Sequence, residues 1–256
     1  VRGRIANESG AGVAGARVQL SNFGVLGHYR LDTTTDADGA FGASVPFGSL
    51  GYLVEPPRDG GLESLQMFGA MGVVDDTVLD LTLRRTVRIT GRLLTEDGEP
   101  VAAFLNANDP ATGAFDFGES DAHGAYAFDL APGTYNVRIN PQDQDFGAQS
   151  LPLVVTEAGA IDLTLLASAR VQIAIIDAEG TGVAGVSAFA SAVDGSGDGF
   201  GETGAEGVVE LRLVPGAYRI QFFASDGISP APTTIDVLAD TTIQLQLPKA
   251  YPVRGH

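Results

Sequence analysis

Ser120-Asp121-Ala122-His123-Gly124-Ala125-Tyr126-Ala127-Phe128-Asp129-Leu130-Ala131-Pro132-Gly133-Thr134-Tyr135 is the stretch that decides the fold of this chain. An acidic turn ends at Gly124, and Tyr126, Phe128 and Leu130 then alternate with small or polar residues. After the Pro132-Gly133 turn the alternation resumes as Tyr135, Val137 and Ile139. Period-two alternation marks a strand buried on one face. Two such strands around a tight turn read as a hairpin.

The same text occurs twice more. Gly39 precedes Phe41 and Val45, and Gly207 precedes Val209, Leu211 and Leu213. Nine residues after each of these glycines comes another, at Gly48, Gly133 and Gly216, followed by Tyr52, Tyr135 and Tyr218. The tyrosines are expected in the core. Copy one carries two extra residues around Ser49–Gly51, read as an insertion at a loop tip.

Outward from this centre, each copy opens on an alternating strand, at Val1-Gly3-Ile5, Ile89-Gly91-Leu93 and Val171-Ile173-Ile175. Each closes on another, at Leu79-Leu81-Leu83, Ile161-Leu163-Leu165 and Ile243-Leu245-Leu247. The openings at Val1, Ile89, Val171 and Val253 give periods of 88, 82 and 82 residues, the size of whole small domains. The expected organisation is repeats at 1–86, 87–168 and 169–250, with 251–256 starting a truncated fourth. A chain that opens inside a repeat is expected to lack its natural N-terminus. Seven or so short strands per copy specify an all-β fold of tandem antiparallel sandwiches. Only Leu62–Met71 suggests a turn or two of helix in a loop. Five residues separate successive copies each time, so the sandwiches are expected to line up as a rod.

Composition excludes several functions. The 256 residues carry a net charge of −17, which disfavours nucleic acid and anionic membrane surfaces. The absence of cysteine removes disulfides, thiolate metal sites and a cysteine nucleophile. No apolar run reaches the ~18 residues a membrane helix needs.

The opening Val1-Arg2-Gly3-Arg4-Ile5 with Gly10, Gly12 and Val13, the turn Thr35-Asp36-Ala37-Asp38-Gly39-Ala40-Phe41, and Ala131-Pro132-Gly133-Thr134-Tyr135 together resemble the carboxypeptidase regulatory-like domain. That family is a transthyretin-type, Ig-like or prealbumin-like β-sandwich common in bacterial secreted and surface proteins. Ser120–Tyr126 and Val214-Pro215-Gly216-Ala217-Tyr218 repeat the match, so it covers essentially the whole chain. Copy three departs at Gly204-Ala205-Glu206-Gly207, which lacks the aspartate, so that aspartate is not expected to do chemistry. The resemblance implies spacers, adhesion modules or accessory domains of enzymes, and fold does not choose among them.

Sandwich repeats of bacterial pili and adhesins also form internal Lys–Asn or Lys–Asp isopeptide bonds. The only lysine here is Lys249, in a junction, so copies one and two have none to cross-link. Asp194, Ser196 and Asp198 are spaced like the start of a calcium loop, but the twelfth position is Ala205, with Glu202 and Glu206 out of register. Asp36 and Asp38 form a shorter version. The bland reading of both is a solvated turn whose Asp caps local N–H groups.

His28, His123 and His256 show no metal-ligand spacing, and no Gly-x-Ser-x-Gly elbow accompanies a serine. No catalytic, cofactor or metal residue is assigned. Phe23, Tyr29, Phe115, Phe117 and Phe200 are placed in the loop between the second and third strands, with Phe146 and the Leu65-Met67-Phe68-Met71 cluster as further exposed candidates.

The function expected from these residues is a non-enzymatic stalk, spacer or filament-building segment of a bacterial extracellular or cell-surface protein, partnered by neighbouring repeats. A glycan- or protein-binding array that uses the loop aromatics on surface polysaccharide or another surface protein stays open, as does an accessory segment of a secreted enzyme.

Overall fold

A computed structural model describes residues 1–24, 27–225 and 228–248. Lys249, His256 and the start of a fourth repeat lie outside the described residues, as do the side chains of Phe23, His28 and Met71.

The fold is all-β apart from a short 3-10 turn at Arg58–Gly60. Copy one supplies β1 (Arg2–Asn7), β2 (Arg17–Gly24), β3 (Gly27–Thr34), β4 (Ala40–Gly42), β5 (Gly48–Glu55), β6 (Ser64–Val73) and β7 (Val78–Leu83). Copy two supplies β8 (Val87–Thr95), β9 (Ala103–Asn108), β10 (Ala114–Ser120), β11 (Ala125–Leu130), β12 (Gly133–Pro141), β13 (Ala148–Val155), β14 (Gly159–Ala160) and β15 (Leu163–Leu165). Copy three supplies β16 (Ala169–Ile176), β17 (Val186–Ala192), β18 (Gly197–Glu202), β19 (Val208–Leu213), β20 (Gly216–Ala224), β21 (Thr233–Val237) and β22 (Thr241–Gln246).

Three small sheets face one large one. The small sheets are β4-β1-β7, β11-β8 with β14 and β15, and β19-β16-β22. The large sheet has twelve strands in the order β21-β20-β17-β18-β13-β12-β9-β10-β6-β5-β2-β3 and runs through all three copies. The alternation in the sequence works as expected. Ile5, Phe41, Leu79 and Leu83 of the small sheet meet Val18, Leu20, Tyr52 and Val54 of the large one, and the equivalent sets fill copies two and three. Tyr52, Tyr135 and Tyr218 are all buried, as predicted.

Four features differ from expectation. The Pro-Gly turn does not close a hairpin: β11 pairs with β8, whereas β12 pairs with β9 and β13. The turn carries the chain from one sheet to the other, so Phe128 and Tyr135 face the same core from opposite sides. Alternation alone cannot separate the two cases, because each strand is half-buried either way.

The small sheets are also mixed. The first strand of each copy runs parallel to the last, β1 with β7, β8 with β14 and β15, and β16 with β22. Leu62–Met71 lies mostly in strand β6 rather than in a helix, because β5 offers a full edge to pair with, from Gly48↔Val73 to Val54↔Leu65. The extra residues of copy one lengthen β5 ahead of Tyr52 rather than sitting at a loop tip, and the bulge beside them is in β6, which takes four steps from Met67 to Met71 against two from Tyr52 to Leu50. The copies meet at their ends: each joint overlaps by only two residue pairs, beyond which β6 and β10, or β13 and β18, run on in opposite directions.

Two recurring local devices explain why the copies fold alike. The Asp-x-x-Gly turn is held by the aspartate, whose Oδ1 accepts two backbone N–H bonds: from Asp38 and Ala40 at Asp36, and from His123 and Ala125 at Asp121. These bonds hold the Asp121 carboxyl below the usual carboxylate range. The glycine is needed because φ is +78° at Gly39, +74° at Gly124 and +72° at Gly207. A Cβ on Gly124 would also lie 2.4 Å from the Leu93 carbonyl oxygen.

Four residues before each of these glycines sits a buried hydroxyl. Thr35 donates to Val13 O and accepts from Ala16 N, Ser120 to Val101 O and from Ala103 N, and Thr203 to Val183 O and from Val186 N. Each hydroxyl pins the start of the large sheet to the turn after the first strand.

Candidate functional site at the joints between repeats

Among the described residues, two short strand pairings carry the large sheet from one copy to the next. At the first joint β6 meets β10 through Leu65↔Ala114 and Ser64↔Phe115, and Gln66 N donates to Gly113 O at 2.7 Å. At the second, β13 meets β18 through Gln149↔Gly197 and Ala148↔Asp198, and Ser150 N donates to Ser196 O at 2.8 Å. The same strands of successive copies are used each time. In both cases Tyr-strand partner β6 or β13 pairs with the third strand of the following copy.

Beside each pairing a buried side chain clamps the residue that follows the closing strand. Glu63, 3% exposed, accepts from the N–H of Arg84 at 2.9 Å and takes the Arg84 guanidinium at 2.7 Å. Arg84 in turn donates from Nη1 to Pro132 O of copy two. The Glu63 carboxylate, through its hydrogen bonds first and its charge second, raises the Arg84 guanidinium further above its ordinary value. Nearby Asp109 is subject to opposing influences. Burial pushes its carboxyl up, but hydrogen bonds from Thr112 and Ala111 and the Arg84 charge together hold it below the usual range.

Gln149, 1% exposed, plays the Glu63 part at the second joint. Its Oε1 accepts from Leu166 N at 3.0 Å, and its Nε2 donates to Leu166 O at 2.6 Å. Leu166 and Arg84 both follow directly on the closing leucines, Leu165 and Leu83. Where the partner side chain is an arginine the clamp is a carboxylate, and where it is a leucine the clamp is a neutral amide, so neither leaves a buried charge unpaired.

Around the second joint Arg138 of copy two grips Asp198 of copy three with both Nη atoms, the Nη2–Oδ1 bond measuring 2.7 Å. Arg212 reaches back to Asp145 at 3.1 Å, and Gly147 N donates to Ser168 Oγ at 2.8 Å. Copy three approaches so closely that a Cβ on Gly147 would lie 2.1 Å from the Arg212 carbonyl oxygen.

This geometry relocates several residues singled out from sequence. Asp194, Ser196 and Asp198 do not converge. Asp194 Oδ1 accepts from Ser196 N, Ser196 O accepts from Ser150, and the Asp198 carboxylate is committed to Arg138. Among the described residues no three His, Asp or Glu side chains form a cluster able to hold a metal. His123 sits in the exposed Asp121 turn.

The aromatics expected in loops are on strands: Tyr29 on β3, Phe115 and Phe117 on β10, and Phe200 on β18. Phe115 is buried where β10 meets β6, whereas Phe117 and Phe200 are exposed. Phe146 packs partly against the core with Met67; Leu65 is buried and Phe68 exposed. The clamps Glu63 and Gln149 were not visible in the sequence. Their only signal was an unusual polar residue at the same distance before the core residues Met67 and Leu153, which pair with Tyr52 and Tyr135.

No family model matches the chain, and no curated protein does. Among solved structures it is similar to the Bacillus anthracis TIE protein, at 16% identity over 97% of this chain and 50% of that one, with a TM-score of 0.29. This chain therefore spans half the length of that protein. It is similar also to a streptococcal ancillary pilin, at 11% identity over 97% of this chain and 99% of that one, TM-score 0.28. A third is BcpA, the major pilin subunit of Bacillus cereus, at 12% identity, 98% and 99% coverage and TM-score 0.28. At such scores the likeness carries no argument about function. Among the described residues no helix is long and apolar enough to cross a membrane, which says nothing about strands.

Proposed function

We propose that this chain is a non-enzymatic structural segment, a stalk, spacer or filament-building stretch, of a bacterial extracellular or cell-surface protein. Its units are 1–86, 87–168 and 169–250, of the carboxypeptidase regulatory-like kind, and its principal partners are neighbouring repeats. The observation that carries the reading is the repeated joint: twice, the same pair of strands extends one sheet into the next copy, and twice a buried side chain locks the connecting residue. A joint with sheet hydrogen bonds, a clamp and a cross-copy ion pair transmits orientation, which a spacer requires and an independent binding module does not. The acidic surface keeps such a segment soluble and discourages lateral association.

Small-angle X-ray scattering tests this. The chain is expected to be far more extended than a compact 256-residue globule, whose radius of gyration is roughly 18 Å. A flexible Gly-Ser insert between Leu165 and Val171 should broaden the distance distribution while each unit keeps its stability. A compact particle, or one indifferent to the insert, refutes the spacer.

A further inference from the structure

The outer face of the large sheet in copy two is unlike the rest of the molecule. The inward residues of β9, β10 and β12 fill the core, which leaves Phe104, Asn106 and Asn108 of β9, Phe117 and Glu119 of β10, and Asn136, Arg138 and Asn140 of β12 on the other side. Cross-strand register sets them in rows: Phe117–Asn106–Arg138, then Glu119–Phe104–Asn140, with Asn108–Asn136 beside Phe115. Phe117 is 61% and Phe104 53% exposed. Between them lies a groove of about 400 Å³ that Asn106, Glu119 and Asn140 help to line.

Four of the six asparagines of the whole chain stand on this one face, in strands, where asparagine is disfavoured. None of the four amides makes a side-chain hydrogen bond to the described protein. A local rule broken four times without a structural return marks a surface kept for something else.

We propose that this face binds an extended, uncharged polysaccharide. Amide groups both donate and accept, which matches hydroxyls that do both, and exposed rings offer flat apolar surface to the C–H faces of sugar rings. An apolar protein partner would instead strip water from four amides and leave them unpaired. The backbone of β9 and β12 offers nothing to a ligand, since both are interior strands.

Charge also selects. The Arg138 guanidinium is held by Asp198, Glu119 is the other ionic group of the rows, and the molecule carries −17, so an anionic glycan is repelled. Copy three repeats the motif with Phe200 and Glu202 at the places of Phe117 and Glu119, beside Phe189, Gln221 and Phe223. The strands β10 and β18 are four steps apart in the sheet and Phe200 is also displaced along the strand direction, so these aromatics lie at least ~19 Å apart, a span that suits a chain rather than a single sugar. Copy one has Asp32 at that position, in an ion-pair cluster with Arg17 and Arg30, and is excluded from the site.

Affinity electrophoresis and titration calorimetry on the whole chain test the site, with soluble β-glucan, mannan and galactan as neutral probes and alginate as the anionic one. At least one neutral polymer should retard the chain, and alginate should not. Both Phe104→Ser/Phe117→Ser and Asn106→Ala/Asn140→Ala should weaken binding by roughly tenfold or more, with Gln19→Ala on the matching face of copy one as the silent control. The asparagine pair, half-buried and without side-chain hydrogen bonds, keeps the test valid if the phenylalanine pair fails to fold. No binding to any neutral polymer, binding unaffected by both pairs, or binding to alginate alone overturns the proposal. Self-association abolished by Phe104→Ser/Phe117→Ser also overturns it, since the face would then meet another copy of the chain. Scattering is unaffected in each case, so failure here is distinct from failure of the spacer.

Discussion

Gln149→Glu replaces a buried amide with a carboxylate of the same shape and isolates the clamp of the second joint. The amide nitrogen that donates to Leu166 O at 2.6 Å becomes a negative oxygen facing a carbonyl, at a side chain only 1% exposed. One hydrogen bond is lost, about 1 kcal/mol, and an unpaired buried charge adds about 3 kcal/mol or more. Glu63 carries the same carboxylate without penalty because Arg84 neutralises it.

Leu166 occupies the Arg84 place and is partly exposed, so Leu166→Arg alone should change stability by no more than ~0.5 kcal/mol. Combined with Gln149→Glu it rebuilds the first joint at the second and should recover about 2 kcal/mol or more of the loss, a coupling that a double-mutant cycle reads directly. Calorimetry and urea unfolding of the four proteins measure it, and scattering of Gln149→Glu should show a loosened joint. The reasoning is refuted if Gln149→Glu is as stable as the parent, or if the two substitutions are simply additive.

Three further outcomes are expected. Tyr135→Phe removes the hydroxyl that donates to Ala131 O at 2.9 Å and should cost about 1–3 kcal/mol in denaturant unfolding. Tyr218→Phe should be near neutral, because the Tyr218 hydroxyl is buried without a well-formed hydrogen bond and Val214 O, the counterpart of Ala131 O, bears on it only weakly. Burial pushes Tyr126, Tyr135 and Tyr218 up to about 12. Below pH ~10 folded and unfolded phenols are both neutral, and between there and about 12 the unfolded chain releases protons that the folded one retains, so stability should fall across that window. Phenolate absorbance should therefore rise for these three only as the fold opens; early titration would contradict their burial. Millimolar calcium should leave the melting temperature where a chelator leaves it, since Asp198 is committed to Arg138. Occupancy at 100 times the dissociation constant would add ~2.7 kcal/mol, a shift easily seen.

The strands, the turns and the buried tyrosines were legible in the sequence because each depends on residues a few positions apart. Alternation at Tyr126, Phe128 and Leu130 marks a half-buried strand wherever it is used, and Asp121 with Gly124 encodes its turn locally through two hydrogen bonds and a positive φ. Which sheet each strand joins depends instead on long-range pairing. A hairpin and a crossing between sheets bury the same alternate residues, and the parallel union of β1 with β7 links residues some 76 positions apart, as Arg2↔Val78 does.

The same limit hid the joints. Glu63 and Arg84, or Gln149 and Leu166, are ordinary surface-type residues in the sequence, and they become a clamp only when two strand edges bring them out of water together. The Asn and Phe positions of β9, β10 and β12 look like scattered polar and apolar residues along the chain. Lateral pairing at ~4.8 Å is what gathers them onto one face, and that spacing is a property of the sheet rather than of any segment in it.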